Sequence, residues 1–254
     1  MMYLHGGGFR ILSKDTHWMF GFAFARRGFL VFNVDYRLAP HSPFPAALED
    51  AGHALAWVLE SAAGFGGDLD RLVFAGESAG ANLALALAVA GAVPLDDSLA
   101  RWIRELRASP RAVVAACGFL QVSQGERYLK QSDLPMWVRS RIREICRSYL
   151  PDQGRQRFEA RALADPLLVL EHARQLDRSF PAVFAPCGTR DPVADDTLRL
   201  GRALKRLGVD AEVPFYEGAG HAFHAVFWTE IARQCWADMT RFLADRIEGV
   251  SRFR

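Results

Sequence analysis

The sequence predicts one α/β domain, residues 1–254, in which a mostly parallel sheet is flanked by helices. Half of the residues are hydrophobic, which is enough for the full-sized core of one such domain. Short apolar runs alternate along the chain with segments whose apolar residues recur at helical spacing. This alternation is typical of parallel strands joined by right-handed crossovers, so it supports this fold class.

The strands are predicted from continuous runs of apolar residues. Residues 29–35 are the clearest example, and such a run is typical of a strand buried on both faces. The predicted strands cover residues 1–4, 29–35, 71–75, 110–117, 181–187 and 211–216.

The helices are predicted from apolar residues spaced three and four positions apart. Outside the middle of the chain they cover residues 18–27, 46–62, 197–207 and 229–247. In the middle of the chain, residues 121–170 have few β-branched residues and many charges, so we expect a helical insertion that covers the site as a cap. Within it, helices are expected over residues 132–149 and 154–163, and the alternative is that they are ordinary crossover helices.

Composition excludes several classes of function. The net charge is +2, so nothing indicates a nucleic acid or a charged membrane surface as partner. The most apolar segment, residues 79–95, carries Asn82 and Pro94 and is predicted to be a buried helix rather than a membrane span. The four cysteines have no paired spacing, so we expect no metal or redox site and a reducing, cytoplasmic location.

A Gly-x-Ser-x-Gly motif, Gly76–Gly80, lies between a predicted strand and a strong helix former. In this context the motif predicts a tight turn that exposes the hydroxyl of Ser78, and glycines at both ends let strand and helix approach. Glu77 and Ala79 complete the motif, and the N–H of Ala79 lies where a helix N-terminus favours an oxyanion. The alternative is a glycine-rich loop between a core strand and a core helix.

Near the start of the chain, His5 is followed by three glycines, Gly6, Gly7 and Gly8. Consecutive glycines cost backbone entropy and are expected where N–H groups must approach a ligand closely. In lipases and esterases such a loop supplies oxyanion-hole donors. The alternative is a flexible leader.

A serine hydroxyl needs a base, and two loops that follow predicted strands offer the partners. Asp191 follows the strand that ends near residue 187, with Asp195 as the alternative acid. His221 follows the last predicted strand in a glycine-rich turn, with His224 as the alternative base. The other histidines are expected at the surface or the edge of the core.

Taken together, the chain resembles the bacterial hormone-sensitive-lipase-like esterases of the α/β-hydrolase fold. Four blocks match in order: residues 5–8, residues 35–40 with 44–47, residues 76–80 with Asn82, and Asp191-Pro192 followed by residues 221–223. The resemblance implies hydrolysis of short- to medium-chain carboxylic esters without metal or cofactor. It implies Ser78 as nucleophile, His221 as base and Asp191 as orienting acid. It further implies that the N–H groups of Gly7, Gly8 and Ala79 form the oxyanion hole, supported by His5, Gly6, Gly76, Glu77 and Gly80.

The main departure from that family is at the front, because the His-Gly-Gly-Gly loop lies at position 5. The N-terminal edge strands and half of the cap are therefore expected to be missing or truncated. This leaves two alternatives to an active esterase: a weakly active or inactive truncated member, and a ligand-binding protein on the same fold. An exposed sheet edge also allows a homodimer in which a partner covers it.

Overall fold

A parallel β-sheet forms the centre of the computed structural model, which describes residues 1–129, 134–151 and 159–247. Within these residues the strand order in the sheet is β2-β1-β3-β4-β5-β7, and a short parallel ladder joins β6 to β8. The strands are β1 (Met2–Leu4), β2 (Phe32–Val34), β3 (Val73–Glu77), β4 (Ala112–Ala116), β5 (Ala182–Phe184), β6 (Cys187–Gly188), β7 (Ala211–Glu212) and β8 (Phe215–Tyr216).

Helices cover both faces of this sheet. They are α1 (Trp18–Ala25), α2 (Ala46–Ser61), α3 (Ala79–Ala92), α4 (Ser98–Glu105), α5 (Glu126–Leu129), α6 (Met136–Tyr149), α7 (Pro166–His172), α8 (Ala194–Arg206) and α9 (Glu230–Arg246). Side chains of α1 and α9 form one hydrophobic core, while those of α2, α3, α7 and α8 form the other. None of the helices in the described residues is long and apolar enough to cross a membrane.

Strand β3 shows how one strand serves both cores. Val73 and Ala75 belong to the core on the α1 and α9 face, whereas Phe74 belongs to the opposite core. This alternation follows from the twofold period of side chains along a strand. All residues of β3 are buried, including its last residue, Glu77. The turn that follows Glu77 therefore begins inside the molecule, at the carboxyl edge of the sheet.

The structure corrects the prediction for residues 29–35. Only Phe32–Val34 form a strand, and all three residues are half-buried, so the prediction of burial on both faces is wrong. In the described sheet, β2 pairs with β1 alone and therefore lies at an edge. The predicted strand over residues 1–4 is confirmed as β1, which lies between β2 and β3 and is fully buried.

Two predicted strands are each divided by a proline. The run over residues 181–187 becomes β5 and β6 on either side of Pro186, and the run over 211–216 becomes β7 and β8 around Pro214. Proline has no backbone N–H to donate to a ladder, which accounts for both interruptions.

The segment predicted as a cap, residues 121–170, is divided between two locations. Helix α7 packs against α3 and α8 and therefore flanks the sheet as a crossover helix would. Helix α6 instead contributes side chains to the pocket beside Ser78. The predicted helices over 132–149 and 154–163 lie partly outside the described residues; within them, α6 and a 3₁₀ turn at Glu159–Ala164 are found.

Candidate active site

Ser78 lies at the turn between β3 and α3, with backbone angles φ 51° and ψ −113°. This conformation is strained for a residue with a side chain, and such strain concentrates at functional sites. Its amide donates to Ala116 O at 2.9 Å, and its carbonyl accepts from the amide of Phe119 at 3.1 Å. The neighbouring strand β4 and the loop after it therefore hold the turn in this shape.

The two glycines of the motif make this tight turn possible. A side chain on Gly76 would collide with the backbone of Gly80, and one on Gly80 would collide with the carbonyls of Leu4 and His5. The turn thus packs directly on the end of β1, where the loop of residues 5–8 begins. The prediction that small residues let strand and helix approach is confirmed at both positions.

The structure brings the three predicted polar side chains together. His221 Nε2 lies 3.0 Å from Ser78 Oγ, and His221 Nδ1 lies 2.9 Å from Asp191 Oδ2. Asp191 is buried, and the amide of Val193 donates to its Oδ1 at 2.9 Å. The hydroxyl can donate to one imidazole nitrogen while the other nitrogen donates to the carboxylate, an arrangement that removes a proton from serine when it attacks.

Position along the strands explains how residues so distant in sequence meet. Asp191 follows β6 and His221 follows β8, which are neighbouring parallel strands. The amide of Thr189 donates to Tyr216 O at 3.0 Å, and that of Arg190 donates to Ala219 O at 2.9 Å. This backbone ladder brings the acid and the base to the same edge of the sheet as Ser78.

Burial alone would lower the pKa of His221, but the hydrogen bond and the negative charge of Asp191 outweigh it. The pKa of His221 is therefore raised above its ordinary value of 6.5. A raised pKa makes the imidazole a better proton acceptor, provided that the pH is high enough to leave it neutral.

Neither of the two alternative residues is placed beside Ser78. Asp195 lies in the first turn of α8, with Oδ2 3.5 Å from a guanidinium nitrogen of Arg127. His224 is buried with its Nε2 3.1 Å from Glu77 Oε2. Asp191 and His221, which the sequence favoured over Asp195 and His224, make the contacts in the site: His221 with Ser78, and Asp191 with His221.

The loop that contains Gly7 and Gly8 runs beside the turn at Ser78. Gly7 has φ 108° and Gly8 has φ 60°, in the region that favours glycine. The preceding residue His5 is buried and stacks on Tyr36, whose hydroxyl donates to His5 O at 2.6 Å. Ala79 is the first residue of α3, so its amide is an unpaired donor at a helix N-terminus. The loop and this helix end are the two sources of oxyanion donors expected from the sequence.

Glu77 has partners that were not anticipated from the sequence. Its carboxylate accepts from His17 Nε2 at 2.6 Å and from His224 Nε2 at 3.1 Å, and all three side chains are buried. Burial acts to raise the pKa of Glu77, but these two hydrogen bonds outweigh it and lower the pKa to about 2. His17 was expected to be a surface or core-edge residue, and that expectation is wrong. The sequence did contain one signal for these partners: Glu77 is an acid in a buried strand, and a buried carboxylate needs hydrogen-bond donors.

A pocket of about 270 Å³ opens at Ser78 and His221. Its walls are apolar and come from three segments: Phe119 after β4, Pro192 and Val193 in the loop before α8, and helix α6. The residues of α6 that line it are Trp137, Val138, Arg141, Ile142 and Ile145. The pocket can therefore receive a small apolar group next to the hydroxyl of Ser78.

In the described residues one group of three potential metal ligands is found, formed by Cys117, Asp191 and His221 within 4.8 Å of one another. The Asp191 and His221 atoms already bond to each other, and burial raises the pKa of the Cys117 thiol well above its ordinary value. A thiol that resists ionisation is a poor metal ligand. We therefore assign these groups to hydrogen bonding within the site.

The strand–turn–helix serine and its two partners at one edge of a parallel sheet define an α/β hydrolase. A family profile described as "alpha/beta hydrolase fold" matches residues 1–225. The chain belongs to this family, in agreement with its resemblance to hormone-sensitive-lipase-like esterases.

Individual relatives agree with this assignment. Carboxylesterase NlhH of Mycobacterium tuberculosis is 45% identical over 89 residues, which span 35% of this chain and 28% of NlhH. An acetyl esterase of Salmonella enteritidis is 28% identical over 262 residues, covering 98% of this chain and 72% of the relative. Among solved structures, esterase LipW of Mycobacterium marinum superimposes with a TM-score of 0.75 at 28% identity, over 96% of this chain and 72% of LipW.

Proposed function

We propose that this chain is a serine carboxylesterase in which Ser78, His221 and Asp191 act as a catalytic triad. The observation that carries the proposal is the continuous path from Ser78 Oγ through the imidazole to the buried carboxylate, with 3.0 Å and 2.9 Å separations. Relatives that are named carboxylesterase and acetyl esterase support the reaction class. A ligand-binding protein would not need the imidazole in this position.

The proposed reaction is acyl transfer in two halves. Ser78 attacks the ester carbonyl while His221 Nε2 takes its proton, and Asp191 stabilises the imidazolium that forms. The N–H groups of Gly7, Gly8 and Ala79 hold the oxyanion, and His221 then gives its proton to the leaving alcohol. Water activated by His221 releases the acid from the acyl-enzyme in the second half. No step requires a metal or cofactor.

The pocket supports small apolar substrates. Its volume of about 270 Å³ is at the lower end of what ligand sites usually offer, and its walls are apolar. We therefore propose esters of short to medium acyl chains, with α6 serving as a partial cap over the pocket.

The test is hydrolysis of p-nitrophenyl acetate, butyrate and octanoate by the wild type and by Ser78→Ala. If the triad works as a unit, the substitution lowers kcat by about 10⁶-fold. The matched control is Ser109→Ala, an exposed serine remote from the site, which keeps wild-type rates. Equal rates for wild type and Ser78→Ala would contradict the proposal, as would the absence of wild-type turnover in a protein that melts cooperatively.

A further inference from the structure

Helix α6 does more than line the pocket, because it also rests on the glycine loop. Three consecutive loop residues each contact it. Phe9 stacks on Tyr149 with ring centroids 3.7 Å apart, and an Arg10 guanidinium nitrogen lies 2.7 Å from Glu144 Oε1. The third contact is at Gly8 and involves Ile145.

The contact at Gly8 is very close. A Cβ built on Gly8 would lie 2.7 Å from the terminal methyl carbon of Ile145, Cδ1, and 2.9 Å from its Cγ1. The isoleucine side chain therefore occupies the space directly over the backbone of Gly8. Gly8 has φ 60° and no side chain of its own, so neighbouring groups must restrain its peptide groups, and Ile145 is one such neighbour.

The two halves of the loop are held by different parts of the molecule. His5 and Gly6 are held from inside: Tyr36 donates to His5 O at 2.6 Å, and a Cβ on Gly6 would lie 3.0 Å from Glu77 Cγ. Residues 8–10 contact α6, and the carbonyl of Phe9 also accepts from the amide of Ala39 at 2.8 Å. The amides proposed as oxyanion donors, those of Gly7 and Gly8, lie at the junction between these two halves.

Ile145 takes part in both contacts of α6, the one with the pocket and the one with the glycine loop. It lines the pocket together with Ser78 and His221, and it also covers Gly8. Ile142, one turn earlier on the same helix, lines the same pocket, and none of the contacts described at Gly8 involves it.

We propose that Ile145, assisted by the Arg10–Glu144 ion pair, is a positioning residue that holds the Gly8 N–H in line with the oxyanion. This inference rests on the proposed esterase function. An oxyanion donor acts on the transition state and little on the bound ester, so its displacement lowers kcat and leaves KM nearly unchanged. A residue that only shapes the pocket changes KM instead.

The experiment compares Ile145→Val with Ile142→Val. Ile145→Val deletes Cδ1, the Ile145 atom nearest to the Cβ position on Gly8, and Ile142→Val makes the same deletion elsewhere in the pocket. We expect Ile145→Val to lower kcat for p-nitrophenyl butyrate by about 3- to 10-fold with KM within about twofold, since small misplacements of reacting groups are costly. Ile142→Val changes KM and keeps kcat. Ile145→Ala extends the series to a loss of about 10- to 100-fold, still below the full value of one donor.

A trifluoromethyl ketone supplies the second readout, because its adduct with Ser78 places a negative oxygen where the oxyanion forms. Its inhibition constant rises in parallel with the loss of kcat in the Ile145 variants, whereas in Ile142→Val it changes only in proportion to KM. Met136→Ala, on the exposed start of α6, keeps both kinetic constants. Thermal melts identify any variant that fails to fold, and the mild Ile145→Val substitution keeps the test available if Ile145→Ala unfolds.

Failure of this inference is distinguishable from failure of the proposed function. If the wild type hydrolyses esters and Ser78→Ala does not, the esterase proposal stands. If Ile145→Val then matches Ile142→Val in kcat and in inhibitor affinity, the positioning role is wrong. If the wild type itself lacks turnover, the esterase proposal fails first.

Discussion

At the scale of single residues, the hydrogen-bond partners of Glu77 could not be predicted from the sequence. The motif predicted only a supporting role for it next to Ser78. The structure places its carboxylate between His17 and His224, which precede α1 and follow His221 respectively. A buried acid demands partners, but nothing in the sequence says which of the seven histidines supply them. The contact with His224 links the residue before Ser78 to the turn that carries His221.

Replacing Glu77 by glutamine tests this link through the stability of the fold. A pKa of about 2 in the folded chain, against an ordinary 4.5, stabilises the native state above pH 4.5 by roughly 3 kcal/mol. This contribution is lost as the pH falls from about 5 towards 2. We expect Glu77→Gln to lower the unfolding free energy at pH 7, and urea titrations should show the difference from wild type narrowing with acid. A difference that stays constant with pH would contradict the charged state of Glu77.

The raised pKa of His221 predicts the acid limb of the activity profile. Protonated imidazole cannot accept the serine proton, so kcat/KM falls as the pH drops through the pKa of His221, at a midpoint above 6.5. Asp191→Asn removes the group that raises this pKa, so the midpoint moves to lower pH. The same substitution lowers kcat by about 10⁴-fold. Stopped-flow or plate-reader pH profiles of both proteins measure the shift, and an unchanged midpoint in Asp191→Asn would argue against the assigned partner.

At the scale of elements, helix α3 contains two glycines with opposite requirements. Gly80 is pressed against the carbonyls of Leu4 and His5, whereas nothing lies within 4 Å of a Cβ on Gly91. Gly80→Ala therefore pushes the turn away from β1 and should destabilise the fold by about 2–4 kcal/mol and reduce activity. Gly91→Ala, in the last turn of the same helix, should stabilise it by up to about 0.5–1 kcal/mol. Thermal melts and esterase assays of the two variants check both directions.

The strands that carry the site were predictable as apolar runs, but their limits were not. Pro186 and Pro214 divide two of these runs, and the cost of a missing N–H depends on which neighbour the strand pairs with. The half-buried β2 had the same apolar composition as an inner strand. Its edge position follows from the pairing order, which is a property of the whole sheet.

At the scale of the whole molecule, the meeting of Ser78, Asp191 and His221 was predictable because the carboxyl ends of parallel strands share one edge. The contact between α6 and the glycine loop was not. It joins Gly8 to Ile145 across more than half of the chain, and neither residue carries a pattern that identifies the other. The meeting of residues at strand ends follows from the topology of the sheet, whereas the packing of a helix on a loop depends on the shapes of their side chains.

Among the residues that the structure describes, one edge of β2 pairs with no other strand, and this edge predicts self-association. Phe32 lies at this edge with its ring centroid 5.6 Å from Trp57 and 6.1 Å from Phe65, and Phe65 is 62% exposed. Exposed aromatic surface beside an unpaired strand favours pairing with another chain. We expect a concentration-dependent dimer in light-scattering chromatography that Phe65→Lys weakens. Trp228→Lys, which removes a more exposed aromatic side chain (77%) outside this aromatic group, is the control; equal dimerisation in all three proteins would exclude the edge as the interface.

The backbone ladder that runs from β6 and β8 up to Thr189 and Arg190 has a consequence for inactive variants. It sets the spacing of Asp191 and His221 without help from Ser78, which lies in the turn after β3, on the far side of β4. The hydrogen-bonded pair of His221 and Asp191 is thus held in place independently of Ser78. In a variant that lacks the Ser78 hydroxyl or has an altered glycine loop, the pKa of His221, measured by proton NMR, would still be raised. Loss of turnover and loss of the Asp191–His221 hydrogen bond are therefore separable events.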